Sequence, residues 1–198
     1  MNSSICDLPA ETSVERLESF QASDLYDLCD AADAAIVEGG GFGWVKPPVR
    51  EVMERYWQGI LMVPERELIV ARLDGVIAGS VQLLKPAPNN ESGALCGTLT
   101  TFFVAPWARG HGLGLRLVKE VEKVAYERGL EVVNLDVRES QHSAIRMYDR
   151  IGYQRWGINP HYVNVKGKWM AGFYYSKRLL GDETQQDRRD VVAQGVEA

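Results

Sequence analysis

The stretch FFVAPWARGHGLGLRLV, residues 102–118, decides how the chain reads. Its apolar opening is the end of a strand, stopped at Ala105-Pro106. Gly110, Gly112 and Gly114 then follow Arg109 in close succession. From there Leu113, Leu117, Val118, Val121, Val124 and Ala125 recur at helical spacing. Arg128 and Gly129 supply a basic last turn and a stop. A strand, a glycine loop and a helix in that order let backbone N–H groups approach an anion, and the helix start adds the positive end of its dipole. The junction predicts a phosphate site at Arg109–Gly114. The alternative is a turn that only lets the helix pack closely on the strand.

Working outward, residues 15–20 predict a first strand, and Ser23 and Asp24 start a helix that stops at Gly39–Gly41. The loop GGGFGWVKPP precedes a second helix over 49–59. Strands are expected at 67–73 and 76–84, joined by the hairpin signal Asp74-Gly75, and at 97–104. After the long helix come a strand at 131–137, a short helix over SAIRMYDRI, a strand edge at GYQRWG and a last strand over GFYYSKRLL. The fold class is therefore α/β with a mixed sheet. One domain over 1–180 is expected, followed by a polar tail over 181–198 that has little to bury and reads as disordered.

Composition excludes several classes. With 45% hydrophobic and 25% charged residues the chain is an ordinary globular protein. No basic segment followed by an apolar core opens the sequence, and no apolar run reaches the roughly 20 residues a bilayer needs. Cys6, Cys29 and Cys96 are scattered, so a reducing, cytoplasmic setting is expected rather than a disulfide framework. No metal is expected, because the three histidines share no spacing and no cysteines are paired. A net charge of −5 disfavours nucleic acid and suits a cationic small substrate.

Two phosphate motifs fail at the glycine loop. A P-loop needs Lys and then Ser or Thr, where Leu115-Arg116 follow Gly114; a dinucleotide fingerprint needs glycine where Leu115 stands. The spacing present is Arg-x-x-Gly-x-Gly, with Arg109, Gly112 and Gly114. Further on, LDVRESQHSAIRMYDRIGYQ carries Leu135, Asp136, Val137, Arg138, Ala144, Tyr148, Gly152 and Tyr153. Together these two motifs resemble the GNAT superfamily of acyl-CoA-dependent N-acyltransferases over about residues 67–180.

The resemblance implies a mixed, largely antiparallel sheet with two splayed parallel central strands, 97–104 and 131–137, and helices on both faces. It implies acetyl-CoA as cosubstrate, inserted in the gap like a missing strand. Phe102, Phe103 and Val104 would offer backbone to the pantetheine, and Arg109, Gly110, His111, Gly112, Leu113 and Gly114 would hold the pyrophosphate. In the loop, His111 is expected to contribute a backbone N–H rather than its ring. Gln141 stands where the family carries an asparagine that contacts the coenzyme.

Acetyl transfer to an amine needs a base, oxyanion donors and a proton for the departing thiolate. Tyr148 occupies the family's proton-donor position; it also reads as a core aromatic beside Met147 and Ile151. Residues 97–104 carry Thr98, Thr100 and Thr101 but no acid, so Asp136 on the partner strand is the candidate base, with an ion pair to Arg138 as the alternative. The acceptor pocket is expected from Glu38 to Trp44, Asn89 to Glu91 and a loop around His161. Within it Glu38 is the candidate for pairing a substrate ammonium, and His161 for lining the pocket; both also read as solvated loop residues. The expected activity is acetylation of a small-molecule primary amine by direct attack in a ternary complex, from a chain that could form a homodimer. A peptide N-terminal acetyltransferase and a non-catalytic acyl-CoA sensor are the alternatives.

Overall fold

The computed structural model describes residues 9–40 and 42–179, so the tail expected over 181–198 lies outside the described residues. The elements are β1 (Thr12–Leu17), α1 (Asp24–Val37), α2 (Arg50–Leu61), β2 (Arg66–Leu73), β3 (Val76–Leu84), β4 (Cys96–Val104), α3 (Leu113–Glu127), β5 (Val132–Arg138), α4 (His142–Arg150), β6 (Gln154–Val165) and β7 (Lys168–Arg178). The strands form one sheet in the order β1-β2-β3-β4-β5-β7-β6. All pairs are antiparallel except β4 with β5.

Apolar periodicity separates two cores. Leu113, Leu117, Val118, Val121 and Ala125 of α3 meet Ile69, Val81, Leu99, Val133 and Leu135 on one side of the sheet. On the other, Leu28, Ala32 and Ile36 of α1 and Met53, Trp57 and Ile60 of α2 meet Leu68, Val70, Ile77 and Phe103. Each large side chain so buried contributes about 1.5–3 kcal/mol. Helices thus cover both faces, as expected. The β2–β3 hairpin turns at Asp74 (φ 50°) and Gly75 (φ 84°), the left-handed pair that the Asp-Gly signal called for.

Two expectations shift. The first strand starts at Thr12 rather than residue 15, because Thr12 pairs with Leu73 and Leu17 with Leu68, and the chain leaves the sheet at Glu18. The region expected as a loop before the last strand is a hairpin, with His161 inside β6. It turns at Lys166 (φ 51°) and Gly167 (φ 82°), and Asn164 Oδ1 accepts from the Gly167 N–H at 3.0 Å. β6 is an edge strand, which is why it tolerates Pro160.

Where β4 meets β5 the sheet opens. Pairing runs from Cys96↔Val132 to Leu99↔Leu135 and stops. Beyond that point β4 continues to Val104 against β3, and β5 continues to Arg138 against β7. The cause lies in β4. Between Ser80↔Phe103 and Gln82↔Thr100, Thr101 and Phe102 oppose Val81 alone, so β4 carries a bulge. Thr101 takes φ 53°, an outlying conformation for a β-branched residue. A bulged strand bends away from its neighbour, and the parallel pair parts in a V.

Candidate active site

The V opens into a cleft of about 1230 Å³, walled by β4 from Leu99 to Val104, by Asp136–Arg138 of β5, by the glycine loop and by α4. The bulge sets which β4 side chains face which wall. In an unbroken strand residues 99, 101 and 103 would share a face. Here Leu99, Phe102 and Val104 pack on the α3 side, while Phe103 joins the opposite core. Past Leu99 the β4 edge that faces β5 has no strand partner, so an extended ligand finds free backbone there.

At the end of β4 a short 3-10 turn, Pro106–Ala108, leads into the loop. Gly110 (φ 88°) and Gly112 (φ 74°) both hold left-handed backbone. Gly112 caps α3 with no side-chain bond, and no acid lies in the helix's first turn. The first-turn N–H groups are therefore open to an external acceptor, with the dipole unopposed. The His111 ring lies 3.2 Å from the Ala108 carbonyl through Nδ1 and is exposed outside the cleft lining, so the loop offers backbone there.

Asp136, Tyr148, Arg109, Gly110, Gly112, Leu113, Gly114, Gln141, Glu38 and Phe102–Val104 all line this one cleft. Tyr148 is 2% exposed, packed against Phe102, Tyr153 and Tyr175, and still reaches the cleft wall. A phenol can bury its ring and present its tip, so core packing and a place on the cleft wall are compatible here. Burial, and secondarily the charge of Asp136, push its hydroxyl well above the usual phenol range, so it stands protonated at neutral pH.

The remaining expectations meet specific partners. Asp136 is exposed on the strand face opposite Val133, Leu135 and Val137. Its carboxylate accepts from the Tyr162 hydroxyl, while Arg138 donates to the Gly39 carbonyl at 3.4 Å. The ion pair to Arg138, the alternative reading of Asp136, is not formed; the carboxylate meets a phenol instead. Glu38 forms an ion pair with Arg109 across the cleft mouth, so its carboxylate already has a cation. Gln141 donates to the same Gly39 carbonyl at 3.2 Å, tying the start of α4 to the end of α1.

The His161 side chain and Asn89–Glu91 are not brought to the cleft, whereas Tyr162–Asn164 beside His161 line it. His161 stacks edge-on with Trp169 at 5.5 Å on exposed surface, because the bulged edge strand turns it outward. Asn89–Glu91 precede β4 and sit at its closed end, away from the V. Within the expected Glu38–Trp44 segment and beside His161, sequence reasoning did not single out the aromatic cluster around Phe42 or Tyr162. Phe42 stacks on Phe103 at 5.2 Å and meets Trp44 and Trp57, each at 5.6 Å. The aromatic run FGW beside YW at helical spacing was the available signal.

Among the described residues no group of three or more His, Cys, Asp or Glu side chains is placed to hold a metal. No helix among them is long and apolar enough to cross a membrane.

A splayed parallel pair, a glycine loop at a helix start and a buried phenol beside the gap meet at one cleft, the arrangement that the resemblance to acyl-CoA-dependent transferases implies. Comparison with known proteins agrees. The Acetyltransferase (GNAT) family pattern matches residues 25–153. An uncharacterised N-acetyltransferase of Azospirillum brasilense is 63% identical over 131 residues, spanning 66% of this chain and 78% of its own. The N-alpha-acetyltransferase RimI of Mycobacterium tuberculosis is 32% identical over 124 residues, 62% of this chain and 72% of its own. An acetyltransferase of Salmonella typhimurium solved with acetyl-CoA superposes with a TM-score of 0.69 at 14% identity, covering 85% of this chain and 94% of that one. The chain belongs to the GNAT acetyltransferase family, and acetyl-CoA is its cosubstrate.

Proposed function

We propose that the chain acetylates a primary amine of a small molecule by direct attack in a ternary complex. One observation carries the reading: Asp136 and Tyr148 line one cleft, from β5 and α4, beside unpaired β4 backbone and the glycine loop. The pyrophosphate sits on the open amides of Gly112–Gly114, and the pantetheine runs along Phe102–Val104. The amine nitrogen loses a proton to Asp136, directly or through one water, and attacks the thioester carbonyl. As the tetrahedral adduct collapses, the C–S bond breaks and Tyr148 gives its hydroxyl proton to the thiolate.

A small acceptor fits the bridged cleft mouth. Glu38 with Arg109, and the Gly39 carbonyl with Arg138 and Gln141, draw the segment after α1 across it. A peptide N-terminus is the second reading, favoured by the 32% identity to an N-alpha-acetyltransferase. Thiol release from acetyl-CoA, measured with polyamines, amino acids, aminoglycosides and alanine-ended peptides, separates the two. Thiol release with none of them, despite tight coenzyme A binding, leaves a sensor.

The base is tested by Asp136→Asn. A positioned base contributes about 10²–10⁴-fold, and the exposure of Asp136 places the loss near 10². Raising the pH deprotonates the amine without help, so part of that loss returns in alkali. Parallel pH–rate profiles for mutant and wild type would remove Asp136 from the mechanism.

A further inference from the structure

Tyr162 reaches Asp136 by an unusual route. Its own strand, β6, lies two strands from β5, with β7 between. Two strand spacings are roughly 9.6 Å, so the phenol must lie across β7 rather than stand up from the sheet. Two local features permit this. Between Asn159↔Gly172 and Val163↔Met170, Pro160, His161 and Tyr162 oppose Ala171 alone, so β6 arches away from its partner. Asn159 Oδ1 accepts from the His161 N–H at 2.9 Å and braces the arch. The Tyr162 ring then lies over Gly172, where a Cβ would overlap its Cγ and both Cδ atoms. Tyr174 flanks it edge-on at 6.3 Å.

We propose that Tyr162 is a positioning residue for Asp136, and that Gly172 is the gap in the sheet surface that seats it. The proposal rests on the reading of Asp136 as base. A hydroxyl donating to a carboxylate fixes its rotamer. Burial and the bond to Asp136 keep the Tyr162 phenol protonated and hence a donor. The groups facing Asp136 are Tyr162 from β6, Tyr174 from β7, Arg138 on its own strand and Tyr148 from α4; Glu38 and Arg109 share the cleft as an ion pair. Arg138 is held by the Gly39 carbonyl, which leaves Tyr162 as the direct partner of the carboxylate.

The test compares wild type with Tyr162→Phe, Gly172→Ala and the double variant. The Asp136 carboxyl titration is followed by NMR of ¹³C-labelled aspartate, with Asp136→Asn assigning the resonance. In parallel, kcat/KM against pH is measured with the best amine from the acceptor panel. Both single variants should move the Asp136 carboxyl resonance and the acidic limb of kcat/KM, and lower kcat by less than Asp136→Asn does. The double variant should add nothing further, since both changes remove one contact. Gly172 has no left-handed φ, so its alanine acts through the ring and not through backbone strain.

An Asp136 resonance and an acidic limb both unchanged in folded Tyr162→Phe overturn the proposal. A loss in kcat equal to that of Asp136→Asn, with the limb unmoved, also overturns it, because Tyr162 would then pass the proton itself. A moved resonance together with a fully active Asp136→Asn upholds the contact and overturns the reading of Asp136 as base.

Discussion

Replacing Gly114 with alanine asks whether the glycine loop holds the coenzyme. Gly114 is the second residue of α3, in ordinary helical backbone. An added Cβ would lie 3.3 Å from Phe102 Cζ, 3.8 Å from Val104 Cγ2 and 3.9 Å from Met147 Sδ. It would therefore point into the V between β4 and α4. The tight contact asks the Phe102 ring to yield by a few tenths of an ångström. Against this, alanine gains up to about 1 kcal/mol over glycine in a helix, less near its start. Folding stability should stay within about 1 kcal/mol of wild type, while the new methyl narrows the coenzyme's path. Coenzyme A affinity should fall at least tenfold, about 1.4 kcal/mol. Gly112→Ala should also weaken binding, but its φ of 74° adds about 1–2 kcal/mol of backbone strain and confounds the result. The assay is calorimetric titration of coenzyme A beside melting curves. Wild-type affinity in a folded Gly114→Ala protein would refute the placement of the pyrophosphate.

Two further outcomes are expected. Tyr148→Phe keeps the buried ring and removes only the proton donor, so turnover should fall roughly 10 to 1,000-fold with acetyl-CoA affinity little changed; wild-type turnover where chemistry limits the rate would leave Tyr148 a core aromatic. At the other end of the sheet, burial raises the Asp24 carboxyl, but the Arg72 bond at 2.7 Å and the Gln21 N–H outweigh it and hold it below the usual range. A lowered carboxyl stabilises above the unfolded value, about 3.9, and that contribution fades as pH falls through the folded one. Asp24→Asn should thus lose about 1.5–3 kcal/mol at pH 7, with the gap to wild type closing in acid; an equal gap at pH 7 and pH 2.5 in chemical denaturation would refute it.

The glycine loop was legible because its demands are backbone demands. Gly110 and Gly112 hold left-handed φ and Gly114 admits a close approach, and such needs write themselves as glycine at fixed spacing. Tyr148 was legible by its place in a second motif. The acceptor side was not, because it depends on which strands neighbour which. Nothing local in INPHYVN says that Tyr162 will cross β7 to Asp136, since the contact needs the β6 arch and a glycine ten residues later. Glu38 and Arg109 are likewise far apart in sequence, and their pairing follows from α1 and the glycine loop flanking one cleft. The hairpin at Lys166-Gly167 was readable as a turn, and overlooking it displaced His161 into a loop.

Thr101 ties these pieces together. A β-branched residue at φ 53° costs on the order of 1–3 kcal/mol, and such strain persists only where surroundings hold it. Here Tyr56 Oη lies 3.4 Å from Thr101 Oγ1 and accepts from Gln82 at 3.3 Å, and Arg66 donates to Gln82 at 2.5 Å. This chain anchors the bulge to α2, β2 and β3. The bulge in turn parts β4 from β5, frees the backbone along Phe102–Val104 and sends Phe103 to the core opposite Phe102. One inserted residue thereby frees the edge proposed for the coenzyme and seats Phe103 under Phe42 in the aromatic wall. Because the same parting leaves Asp136 without a β4 partner, its side chain is open to the cleft on the face where Tyr162 meets it. The open groove and the position of Asp136 beside it are consequences of the same distortion at Thr101.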